Sequence, residues 1–166
     1  IKPTEGATSC LECTAGTFQE EQGKETCKDC PTGTYQISKG QNECTDCAEG
    51  KYSDNTKRTT ECSFCAAGKE FKQKTIACID CGTGMYQEGN NLAGIQCKDC
   101  ISGKYGDQLQ QISITSCKKC VRGRWSSTVG VGVSAGSMAC MACTLGKYNA
   151  LLGQNSDAAC VNCVAG

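Results

Sequence analysis

The chain has no histidine, only two prolines and few large aliphatic side chains. Leu, Ile, Val and Phe together account for 23 of its 166 residues, a content that is typical of disordered proteins. The net charge is zero, however, so charge repulsion does not extend the chain. So little apolar surface cannot form a hydrophobic core of ordinary size, and covalent cross-links must therefore supply most of the order.

The same absences argue against several functional classes. Without histidine, most general-base and nucleophile-activating arrangements are missing, and no acidic cluster has calcium-loop spacing. No glycine-rich phosphate loop lies between a strand and a helix. We therefore expect no enzymatic activity, no cofactor and no metal. The neutral charge gives no reason to expect nucleic-acid binding, and no apolar run is long enough to predict a transmembrane helix.

Cysteine is abundant, with 18 residues that all lie in nine Cys-x-x-Cys doublets. The doublet spacing is constant, whereas the separation from one doublet to the next varies from 13 to 20 residues. After each second cysteine comes a glycine three residues later, which indicates positive φ or a close backbone approach. An aromatic residue follows two positions after that glycine, except at Phe71, which lies three positions after it. These repeat aromatics are Phe18, Tyr35, Tyr52, Phe71, Tyr86, Tyr105, Trp125 and Tyr148.

The segments between doublets alternate weakly between apolar and polar residues and are interrupted by Gly, Asn and Asp, which predicts one short, irregular β-hairpin in each repeat. Each ring should cover a neighbouring disulfide, although a small local core would leave the same pattern. We expect a small disulfide-rich fold: a linear tandem array forming an elongated rod, with little or no helix beyond one turn at Asn149 to Leu152. The predicted repeats span residues 13–30, 30–47, 47–65, 65–81, 81–100, 100–120, 120–143 and 143–163.

The two ends of the chain are out of phase with this repeat. Residues 1–13 read as the end of a truncated repeat, and residues 163–166 as the start of another. The favoured explanation is a window cut from a longer array. The alternative is a covalent filament, in which Cys163 of one molecule pairs with Cys10 of the next.

Two pairing schemes are compatible with the doublets. An interlaced scheme would join Cys10 to Cys27 and Cys13 to Cys30, leaving one doublet without a partner. A within-repeat scheme closes each loop locally and leaves Cys10 and Cys163 unpaired or linked beyond the chain. Its pairs are Cys13–Cys27, Cys30–Cys44, Cys47–Cys62, Cys65–Cys78, Cys81–Cys97, Cys100–Cys117, Cys120–Cys140 and Cys143–Cys160. Sequence alone does not fix the connectivity. Tetrathiolate zinc is disfavoured, because nine doublets cannot be grouped in twos.

The phrase C-x-x-G-[TK]-[YF]-x(n)-C-x-x-C, as in Cys30 to Cys47, resembles the ephrin-receptor-like cysteine-rich repeat. It is similar as well to the single-disulfide module of tumour-necrosis-factor-receptor-type domains. That resemblance implies the within-repeat pairing and an extracellular setting. The chain departs from the usual pattern at Phe71 and in keeping only Pro31 after a first cysteine. An uninterrupted run of one module type is closer to a stalk or fibre than to a receptor, in which module types usually mix.

Cysteine at this density predicts an oxidising compartment, so we expect a secreted or cell-surface protein. The predicted function is a structural segment of a filament, stalk or surface coat, with self-association or continuation of a longer repeat chain as its partner. Residues 1–83 carry a net charge of −3 and residues 84–166 of +3. The favoured explanation of this difference is an uneven, solvated surface, and the alternative is a rod with opposite ends that would suit head-to-tail contact. The alternative is a receptor or adhesin ectodomain that uses its longest loops, Gly103 to Ser116 and Gly123 to Ala139. No N-x-[ST] sequon is present, but the Ser- and Thr-containing loops could carry O-linked glycans.

Overall fold

The computed structural model describes residues 11–132 and 140–164, and the structural statements below concern those residues. Its regular structure consists of seven antiparallel two-stranded hairpins, which confirms the predicted fold class. Every strand is two residues long: Thr17–Phe18 (β1), Lys28–Asp29 (β2), Thr34–Tyr35 (β3), Thr45–Asp46 (β4), Lys69–Glu70 (β5), Ile79–Asp80 (β6), Met85–Tyr86 (β7), Lys98–Asp99 (β8), Lys104–Tyr105 (β9), Lys118–Lys119 (β10), Arg124–Trp125 (β11), Met141–Ala142 (β12), Lys147–Tyr148 (β13) and Val161–Asn162 (β14).

The repeated sequence phrase sets the position of each hairpin. The first strand is formed by the two residues after the repeat glycine, and the second by the two residues inside the next doublet. In β1 and β2, for example, Thr17 pairs with Asp29 and Phe18 with Lys28. The third repeat keeps only a single bridge, between Tyr52 and Ser63. Hairpins this short are not stable by themselves in water, so they depend on cross-links and on neighbouring repeats.

Eight disulfides close these loops, with Cα–Cα distances of 5.5–5.8 Å. Below, repeats 1 to 8 are the eight loops numbered in chain order. Their pairs are those of the within-repeat scheme: Cys13–Cys27, Cys30–Cys44, Cys47–Cys62, Cys65–Cys78, Cys81–Cys97, Cys100–Cys117, Cys120–Cys140 and Cys143–Cys160. The buried hydrophobic residues of the described ranges are cysteines and Tyr86. The core is therefore made of sulfur rather than of aliphatic side chains.

Helix is limited to two single turns of 3-10 helix, Ile114–Ser116 and Asp157–Ala159. The hydroxyl groups of Ser113 and Ser156 cap these turns by accepting a backbone N–H. The turn predicted at Asn149 to Leu152 is wrong. There the Asn149 side-chain oxygen accepts the Leu151 N–H at 2.9 Å, a local bond that competes with helix formation. Neither 3-10 turn comes near the length that would be needed to cross a membrane, and the described ranges hold no longer helix.

The chain divides into two compact units, each made of segments that are not contiguous in sequence. The first contains Ile1–Cys65, Phe71–Ile79 and Asn91–Gly94, and the second contains Ala66–Glu70, Asp80–Asn90 and Ile95–Gly166. The first unit thus takes in loops from later repeats alongside the earlier ones. Within a unit, loops must therefore pack against repeats that are not their immediate neighbours.

We predict that digestion of the oxidised protein at acidic pH, which suppresses disulfide exchange, releases eight cross-linked peptide pairs that match these eight bonds. The measurement is non-reducing peptide mapping by mass spectrometry. Recovery of a peptide that joins Cys13 to Cys30 would instead identify the interlaced scheme.

Candidate functional site: the contacts between repeats

In repeats 1, 2, 4, 6 and 7 the glycine connects to the following repeat through its backbone. These glycines all have φ between 75° and 81°. The Gly16 N–H donates to the Gln36 carbonyl of repeat 2 at 2.7 Å. Equivalent bonds of 2.8–2.9 Å join Gly33 to Ser53, Gly68 to Gln87, Gly103 to Ser126 and Gly123 to Asn149.

The residue after the aromatic position, here called the post-aromatic residue, joins three successive repeats. Its carbonyl accepts the glycine N–H of the preceding repeat, and its own N–H donates to a loop carbonyl of the following one. Gln36, for example, donates to the Arg58 carbonyl at 3.0 Å. Ser53, Gln87 and Ser126 donate in the same way to Lys74, Gln111 and Gln154.

In repeats 1, 2, 5, 6 and 7 a third bond uses the carbonyl of the cysteine that opens the repeat. The Lys57 N–H of repeat 3 donates to the Cys30 carbonyl of repeat 2 at 2.8 Å. Lys57 has φ 56°, and the donors at this place in the loop generally have positive φ. The same bond, 2.8–3.0 Å long, joins Gly40 to Cys13, Gln110 to Cys81, Gly130 to Cys100 and Gly153 to Cys120.

The glycines also contact the loop two repeats further on. A Cβ atom at Gly16 would lie 2.4 Å from the Lys57 carbonyl oxygen of repeat 3. The corresponding distances are 2.5 Å from Gly68 to the Gln110 oxygen and 2.3 Å from Gly103 to the Gly153 oxygen. No side chain fits at these positions, so the repeated glycine is required by close backbone approach as well as by its positive φ.

Side chains inside the doublets reach the same loops. The Asp29 carboxylate of repeat 1 lies 3.5 Å from the Lys57 ammonium group of repeat 3, and Asp46 lies 2.8 Å from Lys74. These pairs are exposed, so each is expected to contribute at most about 1 kcal/mol. Both pairs therefore add a small contribution to the contact between a repeat and its second neighbour.

The Asp80 carboxylate holds the equivalent position in repeat 4. It accepts hydrogen bonds from Lys69, 2.5 Å away, and from Gln110, which belongs to the loop two repeats on. These bonds favour the ionised form, with that from Lys69 the stronger influence, so the pKa of Asp80 lies below the ordinary value for aspartate.

Five post-aromatic side chains are polar and buried, and most of them bond within their own loop: Gln36, Ser53, Gln87, Ser126 and Asn149. The Gln36 amide donates to the Glu43 carbonyl at 2.9 Å and accepts from the Ser38 N–H at 3.0 Å. Ser53, fully buried, donates to the Asn55 carbonyl. Gln87 is also fully buried, but its amide has no hydrogen-bond partner among the described residues. A buried amide without a protein partner costs free energy, so the hydrogen bonding of repeat 5 is less complete than that of repeat 2.

Except for Phe71, the predicted aromatics occupy the same place in each repeat, with different degrees of burial. Tyr86 is buried and packs with Cys100 and Cys117, the disulfide of the next repeat. Tyr148 is half exposed, at 50%. The others are half-buried: Phe18, Tyr35, Tyr52, Phe71, Tyr105 and Trp125.

Phe71 does not alter the backbone of its repeat. Strand β5 is Lys69–Glu70, so Glu70 holds the aromatic position and Phe71 stands at the post-aromatic one. The displaced ring is therefore a change of side chain at a constant backbone register.

Cys163 carries an exposed free thiol. Cys10 lies outside the described residues, as does the part of the loop from Gly123 to Ala139 that covers residues 133–139. Sequence reasoning missed the post-aromatic position, although a signal was present. Gln or Ser follows the aromatic at Gln19, Gln36, Ser53, Gln87 and Ser126, and Asn follows it at Asn149.

We predict that Gly16→Ala loosens the contact between repeats 1 and 3, because its Cβ would collide with the Lys57 carbonyl. Gly23→Ala is the matched control, since Gly23 has φ 75° but nothing lies within 4 Å of the Cβ that the substitution adds. In both variants an alanine must adopt positive φ, which costs about 1–2 kcal/mol. Only in Gly16→Ala does the added Cβ also collide with the backbone of a later repeat. Hydrogen exchange at the Lys57 amide should be at least about tenfold faster in Gly16→Ala than in the control. Equal rates would contradict the close contact.

We predict that Asp80 titrates below ordinary aspartate in an NMR pH titration, and that Lys69→Met moves its midpoint back toward the ordinary value. Because the folded-state pKa is lowered, the stabilisation by this carboxylate is present above the unfolded pKa and is lost as the pH falls through the folded pKa. The Lys69→Met variant should therefore lose less stability on acidification than the wild type. An unchanged midpoint would argue against the bond.

The sequence comparison agrees with this geometry. Residues 3–40 match the family described as tyrosine-protein kinase ephrin type A/B receptor-like. A search of the curated proteins gives no significant match. The matched stretch includes the disulfide loop of repeat 1 and most of repeat 2, which confirms the resemblance seen in the motif. Hairpins, tandem disulfides and this match make the chain a cysteine-rich repeat array, a fold that resembles non-enzymatic extracellular domains.

Proposed function

We propose that the chain is a structural segment of an extracellular filament, stalk or surface coat. The observation that carries this proposal is the recurrent set of backbone hydrogen bonds from one repeat to the next. These bonds use the glycine, the post-aromatic residue and the opening cysteine, and they recur although the loops differ in length. Backbone contacts of this kind hold repeats together without committing the outer surface to a ligand.

Disulfides act within each repeat and hydrogen bonds act between repeats, an arrangement that suits a mechanical role. A disulfide that closes a loop of about 15 residues stabilises it by roughly 3 kcal/mol and prevents the loop from unravelling under tension. Each hydrogen bond between repeats contributes about 0.5–1.5 kcal/mol, and several act together at each junction. Tension would therefore load the junctions while every repeat stays closed.

The disulfide chemistry supports an extracellular setting. Tandem disulfides persist in oxidising compartments and are rare in the reducing cytosol. The family match points in the same direction. Secretion and attachment at a cell surface are both compatible with a structural segment.

A receptor or adhesin ectodomain is a second candidate, favoured by one observation. In the loop of repeat 6, Leu109 and Ile112 are 59% and 60% exposed. Exposed aliphatic side chains in a long loop can form the centre of a docking surface. A binding module of this type would use these side chains against a partner rather than the ends of the array.

Extraction of the protein from the surface of the cells that produce it would test the structural role. We expect it in a polymeric fraction that resists non-ionic detergent and is released by denaturant. The measurement is immunoblotting of the fractions with an antibody raised against the purified chain. A detergent-soluble monomer that binds a partner through the loop of repeat 6, and loses that partner in Leu109→Ser with Ile112→Ser, would support the receptor instead.

A further inference from the structure

We infer that Lys104 and Lys119 of repeat 6 form a binding site for the negatively charged groups of an extracellular anionic polysaccharide. This inference goes beyond the proposed function, because it assigns a class of ligand to one hairpin inside the array. It applies to a structural segment and to a receptor alike. It follows from two lysines that face each other without a carboxylate to neutralise them.

The hairpin of β9 and β10 places the two lysines opposite each other. Its register pairs Lys119 with Lys104 and Lys118 with Tyr105. Lys104 is half-buried and Lys119 is exposed. Like charges directly opposite each other on an antiparallel pair are destabilising. The hairpin therefore contains an arrangement that costs stability and that a bound anion would relieve.

The carboxylate nearest to this hairpin serves a different lysine. Asp107 lies 2.5 Å from the Lys118 ammonium group. In the described part of the chain, neither Lys104 nor Lys119 forms an ion pair with an acidic side chain. Residues 133–139, which belong to the loop of repeat 7, include no Asp or Glu. Two positive charges of this hairpin are thus available to an external anion.

Other repeats neutralise a lysine at the position of Lys104. This position, directly after the repeat glycine, holds Lys51 in repeat 3 and Lys69 in repeat 4. The Lys51 ammonium group lies 3.3 Å from the Glu61 carboxylate, and that of Lys69 lies 2.5 Å from Asp80. Repeat 6 therefore departs from an arrangement that the same fold provides elsewhere.

The position of Lys119 is acidic in four other repeats. This third position of the doublet holds Asp29, Asp46, Asp80 and Asp99. A lysine at that position reverses the charge that the array places there most often. The reversal changes a hairpin that could neutralise its own lysine into one with two facing positive charges.

Repeat 8 supports the stem of Lys119. A Cβ at Gly153 would lie 3.3 Å from the Lys119 Cγ, and the Gly153 N–H donates to the Cys120 carbonyl at 2.8 Å. In repeat 3 the equivalent loop residue is Lys57, which pairs with Asp29, whereas Gly153 has no side chain that could pair with Lys119. A stem packed in this way loses less side-chain entropy when its ammonium group binds an anion.

Positive charge continues into the following repeats. Repeats 6 to 8 carry six basic and two acidic side chains, a net charge of +4. The residue after the repeat glycine is basic in all three, and its cross-strand partners Ala142 and Asn162 in repeats 7 and 8 are neutral. These basic residues are Lys104, Arg124 and Lys147. A linear polyanion could therefore place successive charged groups against successive repeats.

A polysaccharide fits these features better than an acidic protein does. Lysine ammonium groups are hydrated point charges on flexible stems, so they suit repeated, weakly directional contacts more than one shaped interface. Stiff sugar rings also lose less conformational freedom on binding than a flexible acidic peptide loses. The disulfides support an oxidising, extracellular setting in which such a ligand would be met. Sulfate and carboxylate groups share the required charge, and separate probes distinguish them.

Binding of the full 166-residue chain to immobilised polysaccharides, measured by biolayer interferometry at low ionic strength, tests the inference. The probes are dextran sulfate, polygalacturonate and uncharged dextran. Every protein carries Cys10→Ser and Cys163→Ser to prevent covalent dimers. The test variant is Lys119→Asp, which introduces the acidic residue of four other repeats opposite Lys104. The matched control is Lys39→Asp, which changes the net charge equally at an exposed lysine of repeat 2.

We expect the parent chain to bind a charged polysaccharide and not dextran, with an affinity that falls as salt is added. Binding to either charged probe supports the inference, and the tighter of the two identifies the anionic group. The Kd should weaken at least about tenfold in Lys119→Asp and less than about threefold in Lys39→Asp. The Tm of Lys119→Asp should equal or exceed that of the parent, because an ion pair replaces a like-charge pair. Lost binding would then not reflect lost folding.

Several results would overturn the inference. They are absence of binding to both charged polysaccharides, equal binding to uncharged dextran, and an equal loss of affinity in the two variants. Tighter binding to poly-glutamate than to either polysaccharide would assign the lysine pair to an acidic protein instead. Self-association of the parent that Lys119→Asp abolishes, measured by sedimentation velocity, would assign it to a second copy. A polymeric native fraction is compatible with each of these results, so the structural role is tested separately.

Discussion

The structure depends on one constraint: the chain has too little apolar surface to fold by hydrophobic burial, so each loop must be closed covalently. The sulfur atoms lie inside, and the strands of the hairpins that they close are only two residues long. The remaining contacts of the fold are those between these small disulfide-closed hairpins. Because a single repeat buries almost nothing alone, its order depends on the repeats that follow it.

The contacts between repeats are made by backbone atoms. The positions of these atoms must therefore stay constant, whereas the sequences of the loops can vary. Gly16 and Gly68 approach the backbone two repeats on so closely that a methyl group would collide. The carbonyls of Cys30 and Cys81 accept the same loop bond although the loops differ in length. Side chains refine this arrangement, as Asp46 does with Lys74, but they do not create it. Loop sequence is therefore free to change wherever these few atoms stay in place.

Much of this fold could be predicted from the sequence, because local features determine it. The doublets, the glycine and the aromatic predict the hairpins, and local loop closure together with the family resemblance predicts the pairing that the structure contains. The contact from Gly16 to Lys57 could not be predicted, since it depends on the angle between consecutive repeats and leaves no periodic trace in Lys57. The late position of Phe71 marks a changed side chain, and the backbone register of its repeat is unchanged. The turn expected near Asn149 failed because a side-chain bond to Leu151 replaced the helical one.

The dependence of each glycine on the two following repeats has a consequence for biosynthesis. A disulfide loop can close as soon as its two cysteines, 13 to 20 positions apart, have both been synthesised and are exposed to an oxidising compartment. The contact at Gly16, by contrast, waits until Lys57 has been synthesised, some 40 residues later. Oxidation therefore runs ahead of packing along the nascent chain, and the last two repeats made are always incompletely packed. An oxidase acting on single loops is sufficient for such a chain, and no long-range search for cysteine partners is needed at any stage of its synthesis.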